Sequence, residues 1–200
     1  MKIYTRRGDD GTTGLRGGTR VPKNHPLIQL NGDIDEAQAA LGVARAECEP
    51  GSELDQRLIS IERDLWTVMG DIAIPCATGS NKSAPQRRVD ARMVEALEAM
   101  IDEISVRFSP PEEFTVPGES KCAAALDLAR TIVRRAERLA STLDVGEPIL
   151  MYLNRLSDAC WTLARYEEGT SLPARTFAKT GQEPSDEGKG RFGGAGGART

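Results

Sequence analysis

The sequence predicts an all-α fold, a bundle of about five helices behind a Gly/Thr-rich N-terminal loop. Three observations carry this expectation. Apolar residues recur at steps of three and four in five separate segments, no segment reads as a convincing strand, and the links between segments are short.

The first two dozen residues are polar and rich in glycine and threonine, with Gly8, Gly11, Gly14, Gly17 and Gly18 among them. Leu27, Leu30, Ile34, Ala37, Leu41 and Ala44 then form one stripe on a first helix, ended by Pro50-Gly51. Ser52 is placed to cap a second, striped by Leu54, Leu58, Ile61, Leu65 and Val68. A polar loop from about Pro75 to Pro85 leads to a third helix marked by Val89, Met93, Leu97, Ile101, Ile104 and Phe108, with Pro110-Pro111 as its stop. Pro117-Gly118 precedes a fourth, from about Ser120 to Thr142. Gly146-Glu147-Pro148 separates it from a fifth, from about Ile149 to Glu168. One domain is therefore expected over 1–168. The glycine-rich stretch 169–200 buries too little apolar surface to fold alone and is expected to be a disordered tail.

A chain of 200 residues with 39% hydrophobic residues is long enough to bury a core. Its net charge of −4 gives no general reason to expect nucleic acid or an anionic membrane as partner. No apolar run approaches the roughly 20 residues that span a bilayer. Met1 to Thr5 lack the apolar core of a signal peptide, so a cytoplasmic protein is expected. Cys48, Cys76, Cys122 and Cys160 are scattered without a CxxC pair, and His25 is the only histidine. These residues offer no zinc site of the usual kind and read as reduced, mostly buried thiols.

Four segments hold residue types suited to chemistry. In Tyr4 to Gly14 the glycines let successive N–H groups face one concavity, which suits phosphate oxygens, and Thr5, Thr13, Arg6 and Arg7 add donors and charge. No P-loop pattern occurs, and the same composition fits a flexible arm. Lys23 alone reads as a solvated lysine. In Ala129 to Arg138, helical spacing puts Arg130, Arg134 and Glu137 on one face with Arg135 and Arg138 beside it. That cluster suits a triphosphate, or else a solvated, salt-bridged face. In Tyr152 to Asp158, Asn154 has poor helix propensity, which points to a tertiary hydrogen bond. In Asn31 to Glu36, Gly32 costs a helix roughly 1 kcal/mol against alanine, so a close contact or an arginine partner should compensate.

Taken together, these segments resemble the PduO-type family of ATP:cob(I)alamin adenosyltransferases. The resemblance runs from about Met1 to Glu168. It rests on Tyr4-Thr5 with Gly8 to Leu15, on Arg20 to Lys23, and on Gly32 with Asp35-Glu36. Phe114 with Pro117-Gly118, Ala129 to Arg138, and Tyr152 to Asp158 complete it.

The resemblance implies a homotrimer of helical bundles that binds ATP and a corrinoid where two subunits meet. It matches Thr5, Arg6, Arg7, Gly8, Thr13, Gly14, Lys23, Arg134, Arg135, Glu137, Arg138 and Asn154 to ATP binding. Arg130 matches an arginine that pairs across the interface with Asp35, and Phe114 matches a ring under the lower face of the corrin. Mg²⁺ is implied alongside ATP, and a corrinoid reductase and an adenosylcobalamin-dependent enzyme as partners. The chain departs from the family in Arg6-Arg7 for Lys-Thr, Arg16 for an aromatic, Ala37-Gln38 for Leu-Asn, and Asp127 for a histidine. The first two changes keep or add positive charge. The last two lie toward the expected corrinoid side. A noncatalytic corrinoid or nucleotide carrier and a helical docking protein are the readings an adenosylation assay and an ATP titration separate from this one.

Overall fold

The computed structural model describes residues 3–74 and 88–174. Five helices form the bundle: α1 (Pro26–Ala46), α2 (Glu53–Ile72), α3 (Ala91–Ser105), α4 (Lys121–Ala140) and α5 (Glu147–Glu168). α4 packs against α1 and α5, α1 also packs on α2, and α5 on α3. The expected stripes supply the core, from Leu30, Ile34 and Leu41 through Leu58 and Leu65 to Leu126, Leu153 and Leu156. Tyr152, also fully buried, donates its hydroxyl to Asp64 Oδ2 at 3.3 Å, joining α5 to α2 through the interior. At the rim Arg107 bonds Glu53 at 2.9 Å and Arg57 pairs with Glu103 at 2.8 Å, which ties α2 to α3.

The helix starts follow capping chemistry. Ser52 and Ser120 accept the Asp55 and Ala123 N–H groups, and Asp90 accepts those of Arg92 and Met93. His25 caps α1, its Nδ1 accepting the Leu27 N–H at 3.2 Å, with Pro26 in the first turn where its missing N–H costs nothing. α3 ends at Ser105, short of Phe108, whose ring still packs against Trp161 at 6.5 Å between centroids.

Short strands appear where none was expected. β1 (Thr12–Gly14) and β2 (Arg20–Pro22) pair antiparallel, Thr13 opposite Val21. β3 (Thr115–Val116) pairs with β4 (Leu172–Pro173). Strands of two or three residues carry too little alternation to read from sequence. The first pair turns what reads as a loose arm into a hairpin. Gly17 and Gly18 take φ of 95° and 88° at its tip, a region open to glycine, and Leu15 is buried. The Arg16 N–H bonds the Ala73 carbonyl at 2.8 Å, hooking the hairpin to the end of α2. β4 carries the described chain to Ala174, a few residues past Gly169; the rest of the expected tail, and the Pro75 to Pro85 loop with Cys76, lie outside the described residues. Cys122 and Cys160 are buried and Cys48 is half-buried, and burial pushes the Cys122 and Cys160 thiols up to about 12.

No helix among the described residues is long and apolar enough to cross a membrane.

Candidate functional site

Arg20 organises the N-terminal hairpin. Its Nη2 donates to the Arg7 carbonyl at 2.6 Å and its Nε to Thr12 Oγ1 at 2.9 Å. Asp10 Oδ1 accepts the Thr12 hydroxyl at 2.8 Å and N–H at 2.9 Å. These bonds, with the Arg20 charge, hold the Asp10 carboxyl below its usual range. Neither the Asp10–Thr12 turn nor the long reach of Arg20 was read from the sequence.

The hairpin brings several expected nucleotide residues together. A Cβ added to Gly8 would lie 3.3 Å from Lys23 Nζ and 3.2 Å from the Thr12 carbonyl, so the ammonium sits directly over the glycine backbone. The Lys23 N–H donates to the Gly11 carbonyl at 2.9 Å. Its ammonium has no ion-pair partner among the described residues. Thr5 Oγ1 accepts the Arg7 N–H at 3.5 Å. Arg6 takes φ of 60°, rare for a residue with a Cβ, and lays its guanidinium 5.5 Å from the Tyr4 ring centroid. Thr13 and Gly14 are strand residues of β1.

The arginines of α4 divide into two sets. Arg130 pairs with Asp127 at 3.2 Å. Arg135 reaches α1, bonding Asp33 at 3.1 Å and Glu36. This is the arginine partner expected near Gly32. No close helix contact is made at Gly32 among the described residues, since a Cβ there would meet nothing within 4 Å. Arg134 and Arg138, one turn apart, are exposed and have no ion pair among the described residues. Beside them Asn154 donates to Glu137 at 2.7 Å, the tertiary bond its place in a helix predicted. Arg155 donates to Asn154 Oδ1 at 2.6 Å and to Glu98 at 2.7 Å, fixing the amide from its other side.

Phe114 lies on the loop between α3 and α4, 90% exposed, so its ring does not anchor that loop in the core. It borders a cleft of about 710 Å³ also lined by Asp127, Arg130, Trp161 and Arg165. Asp127 is buried, and its charge is met by Arg165 at 2.5 Å and by Arg130. Arg165 went unnoticed in the sequence. The signal was Asp127 itself, an acid inside the apolar run Cys122 to Ala129 that demands a basic partner. Asp35 is exposed and has no ion pair among the described residues, so the expected Arg130–Asp35 pair is not formed within one chain.

Comparison with known proteins gives this arrangement a family. The cobalamin adenosyltransferase model matches residues 3–167, from the N-terminal loop to the last turn of α5, and the chain belongs to that family. It is 38% identical over 179 residues to the corrinoid adenosyltransferase PduO of Salmonella typhimurium, covering 87% of this chain and 52% of that protein. The chain thus spans about half the length of that relative. It is 40% identical to a corrinoid adenosyltransferase of Bacillus subtilis, over 82% of this chain and 86% of the other. Among solved structures it resembles a variant PduO-type ATP:corrinoid adenosyltransferase from Lactobacillus reuteri complexed with cobalamin and ATP. The TM-score is 0.77 and the identity 30%, over 87% of this chain and 99% of that one.

Proposed function

We propose that this protein transfers the 5′-deoxyadenosyl group of ATP to the cobalt(I) of a reduced corrinoid, giving adenosylcobalamin and triphosphate. The observation that carries the reading is the unneutralised pair Arg134 and Arg138. Their neighbours Arg130 and Arg135 are satisfied by carboxylates, while these two hold their charge toward solvent. Two bare guanidiniums one turn apart suit phosphate oxygens.

Reduced cobalt is itself the nucleophile. It attacks the ribose C5′ and expels triphosphate, so no protein nucleophile or general base is needed, in keeping with a chain whose one histidine serves as a helix cap. The protein's work is alignment and stabilisation of charge on the leaving triphosphate. Arg134, Arg138, Lys23 and the hairpin residues Thr5, Arg6, Arg7 and Gly8 take that role, with Arg135 at its edge. Glu137 and Asn154, hydrogen-bonded to each other, contact the nucleotide in this reading. Among the described residues no three His, Cys, Asp or Glu side chains gather into a cation cage. Mg²⁺ would be carried on the phosphates of ATP in this reading. Phe114, at the lip of the cleft, is the corrinoid contact. Alkylation of chemically reduced cob(I)alamin, followed by its absorbance with and without ATP, tests the reading; no ATP-dependent product would end it.

The active unit is read as a homotrimer with its sites between subunits. Within one chain no hydrogen bond or ion pair among the described residues joins the hairpin to α4, and Asp35 stands exposed. Both facts favour a site completed by a neighbour. Such contacts are heterologous and close into a ring. Arg130→Ala should weaken trimer formation, activity or both, because it leaves the neighbour's carboxylate at the interface without its partner. Sedimentation of the wild type as a monomer alone at micromolar concentration would count against the shared site. A cytoplasmic setting, a corrinoid reductase upstream and an adenosylcobalamin-dependent enzyme downstream complete the reading.

A further inference from the structure

We infer that Arg165 is a positioning residue that sets the direction of Phe114 by gripping the residue next to it. Its guanidinium is 2% exposed and spans three elements. On its own helix it pairs with Glu168 at 2.7 Å. Toward α4 it bonds Asp127 at 2.5 Å, and toward β3 its Nη1 donates to Thr115 Oγ1 at 2.9 Å. Trp161 lies under it, 5.9 Å from ring centroid to guanidinium carbon. A buried guanidinium is costly unless its charge is met; here two carboxylates and one hydroxyl meet it through Nη1 and Nη2, while Nε faces Glu168 as an ion pair without an aligned hydrogen bond. The planar fork is what allows one side chain to hold three directions.

The consequence for Phe114 follows from adjacency. Thr115, held by Arg165, borders the same cleft as Phe114, so the exposed ring is carried on a backbone anchored at the next residue. That ring makes no core packing of its own at 90% exposure. Its place is therefore set through the backbone: by the Thr115 side chain, and by the Ala174 N–H on the Phe114 carbonyl at 2.8 Å. Asp127 also holds Arg130, so the same buried carboxylate links the Phe114 loop to the arginine assigned to the subunit interface.

The inference rests on the reading of Phe114 as the corrinoid contact, and the experiment separates the two. Thr115→Val removes the hydroxyl while keeping the shape; Arg165→Lys keeps the charge and loses the fork. Each is compared with Phe114→Ala for helical circular dichroism, ATP binding, and the spectral signature of four-coordinate cob(II)alamin. Thr115→Val should keep the wild-type fold and ATP affinity. Its four-coordinate fraction and its rate with a mild reductant should fall about fivefold, in line with one buried donor left unsatisfied. Pre-reduced cob(I)alamin should restore much of that rate, which a general loss of stability would not allow. Arg165→Lys should fall further in the same direction, and if it fails to fold, Thr115→Val alone decides. If Phe114→Ala loses the signal while Thr115→Val keeps it in full, the positioning role is wrong and the proposed function stands. If Phe114→Ala keeps the signal, the corrinoid reading and this inference both fall.

Discussion

Arg134→Ala lowers ATP affinity or turnover about tenfold to a hundredfold, the expected loss of one charge-assisted contact to phosphate worth roughly 1.5–3 kcal/mol. The structure makes the substitution a clean one. Arg134 is exposed and tied to no carboxylate among the described residues, so its removal breaks no internal pair and should leave the fold intact. Arg135 starts from a different position, because its guanidinium must leave Asp33 and Glu36 before it can reach a phosphate. Isothermal titration with ATP and steady-state kinetics give the answer. Wild-type values in folded Arg134→Ala protein would mean that the triphosphate lies elsewhere.

Phe114→Ala should bind ATP nearly as the wild type does and lose most activity with a mild reductant. On the proposed reading the ring, once beneath the corrin, would exclude water or the lower ligand from cobalt(II) and leave a four-coordinate metal that is easier to reduce to cobalt(I). Truncation would let a fifth ligand return and make reduction harder, while the proposed phosphate contacts of the hairpin and α4 would be untouched. At 90% exposure the ring leaves no core cavity behind, so stability should change by no more than about 0.5 kcal/mol. Chemically pre-reduced cob(I)alamin should recover part of the rate. A variant that keeps the four-coordinate signal, or that loses ATP binding in proportion to activity, would remove Phe114 from this role.

The helices were legible because each carries one repeated fact, an apolar residue every three or four positions, and burial in the bundle follows those stripes from Leu30 to Leu163. Ser52 and Ser120 marked their helix starts because an N-cap is a local chemical event. Asn154 announced its partner by standing where its propensity is poor, though Glu137 could not be named as that partner from spacing alone. What stayed hidden depends on long reach. Arg20 braces the Arg7 and Thr12 backbone and hydroxyl only once the hairpin has formed. Arg165 meets Asp127 and Thr115 from far along the chain. The difference between Arg134 and Arg135, adjacent in sequence, is set by which of them α1 happens to face.

The hook of the N-terminal hairpin onto α2 divides the molecule by how readily its parts open. The hairpin buries Leu15 and gains a backbone bond from Arg16 to Ala73, but most of its bonds are internal and solvent-facing. The bundle has a continuous apolar core, whereas the hairpin has almost none. Its amides should therefore exchange with solvent through small local openings well below the global unfolding free energy, while those of α4 and α5 wait for the whole bundle. A nucleotide bound by Lys23 and the hairpin backbone, as proposed, would require the hairpin hooked onto α2. Part of its binding free energy would then be spent ordering the chain, and hydrogen-exchange protection of residues 5–23 would be a readout of occupancy that requires no turnover.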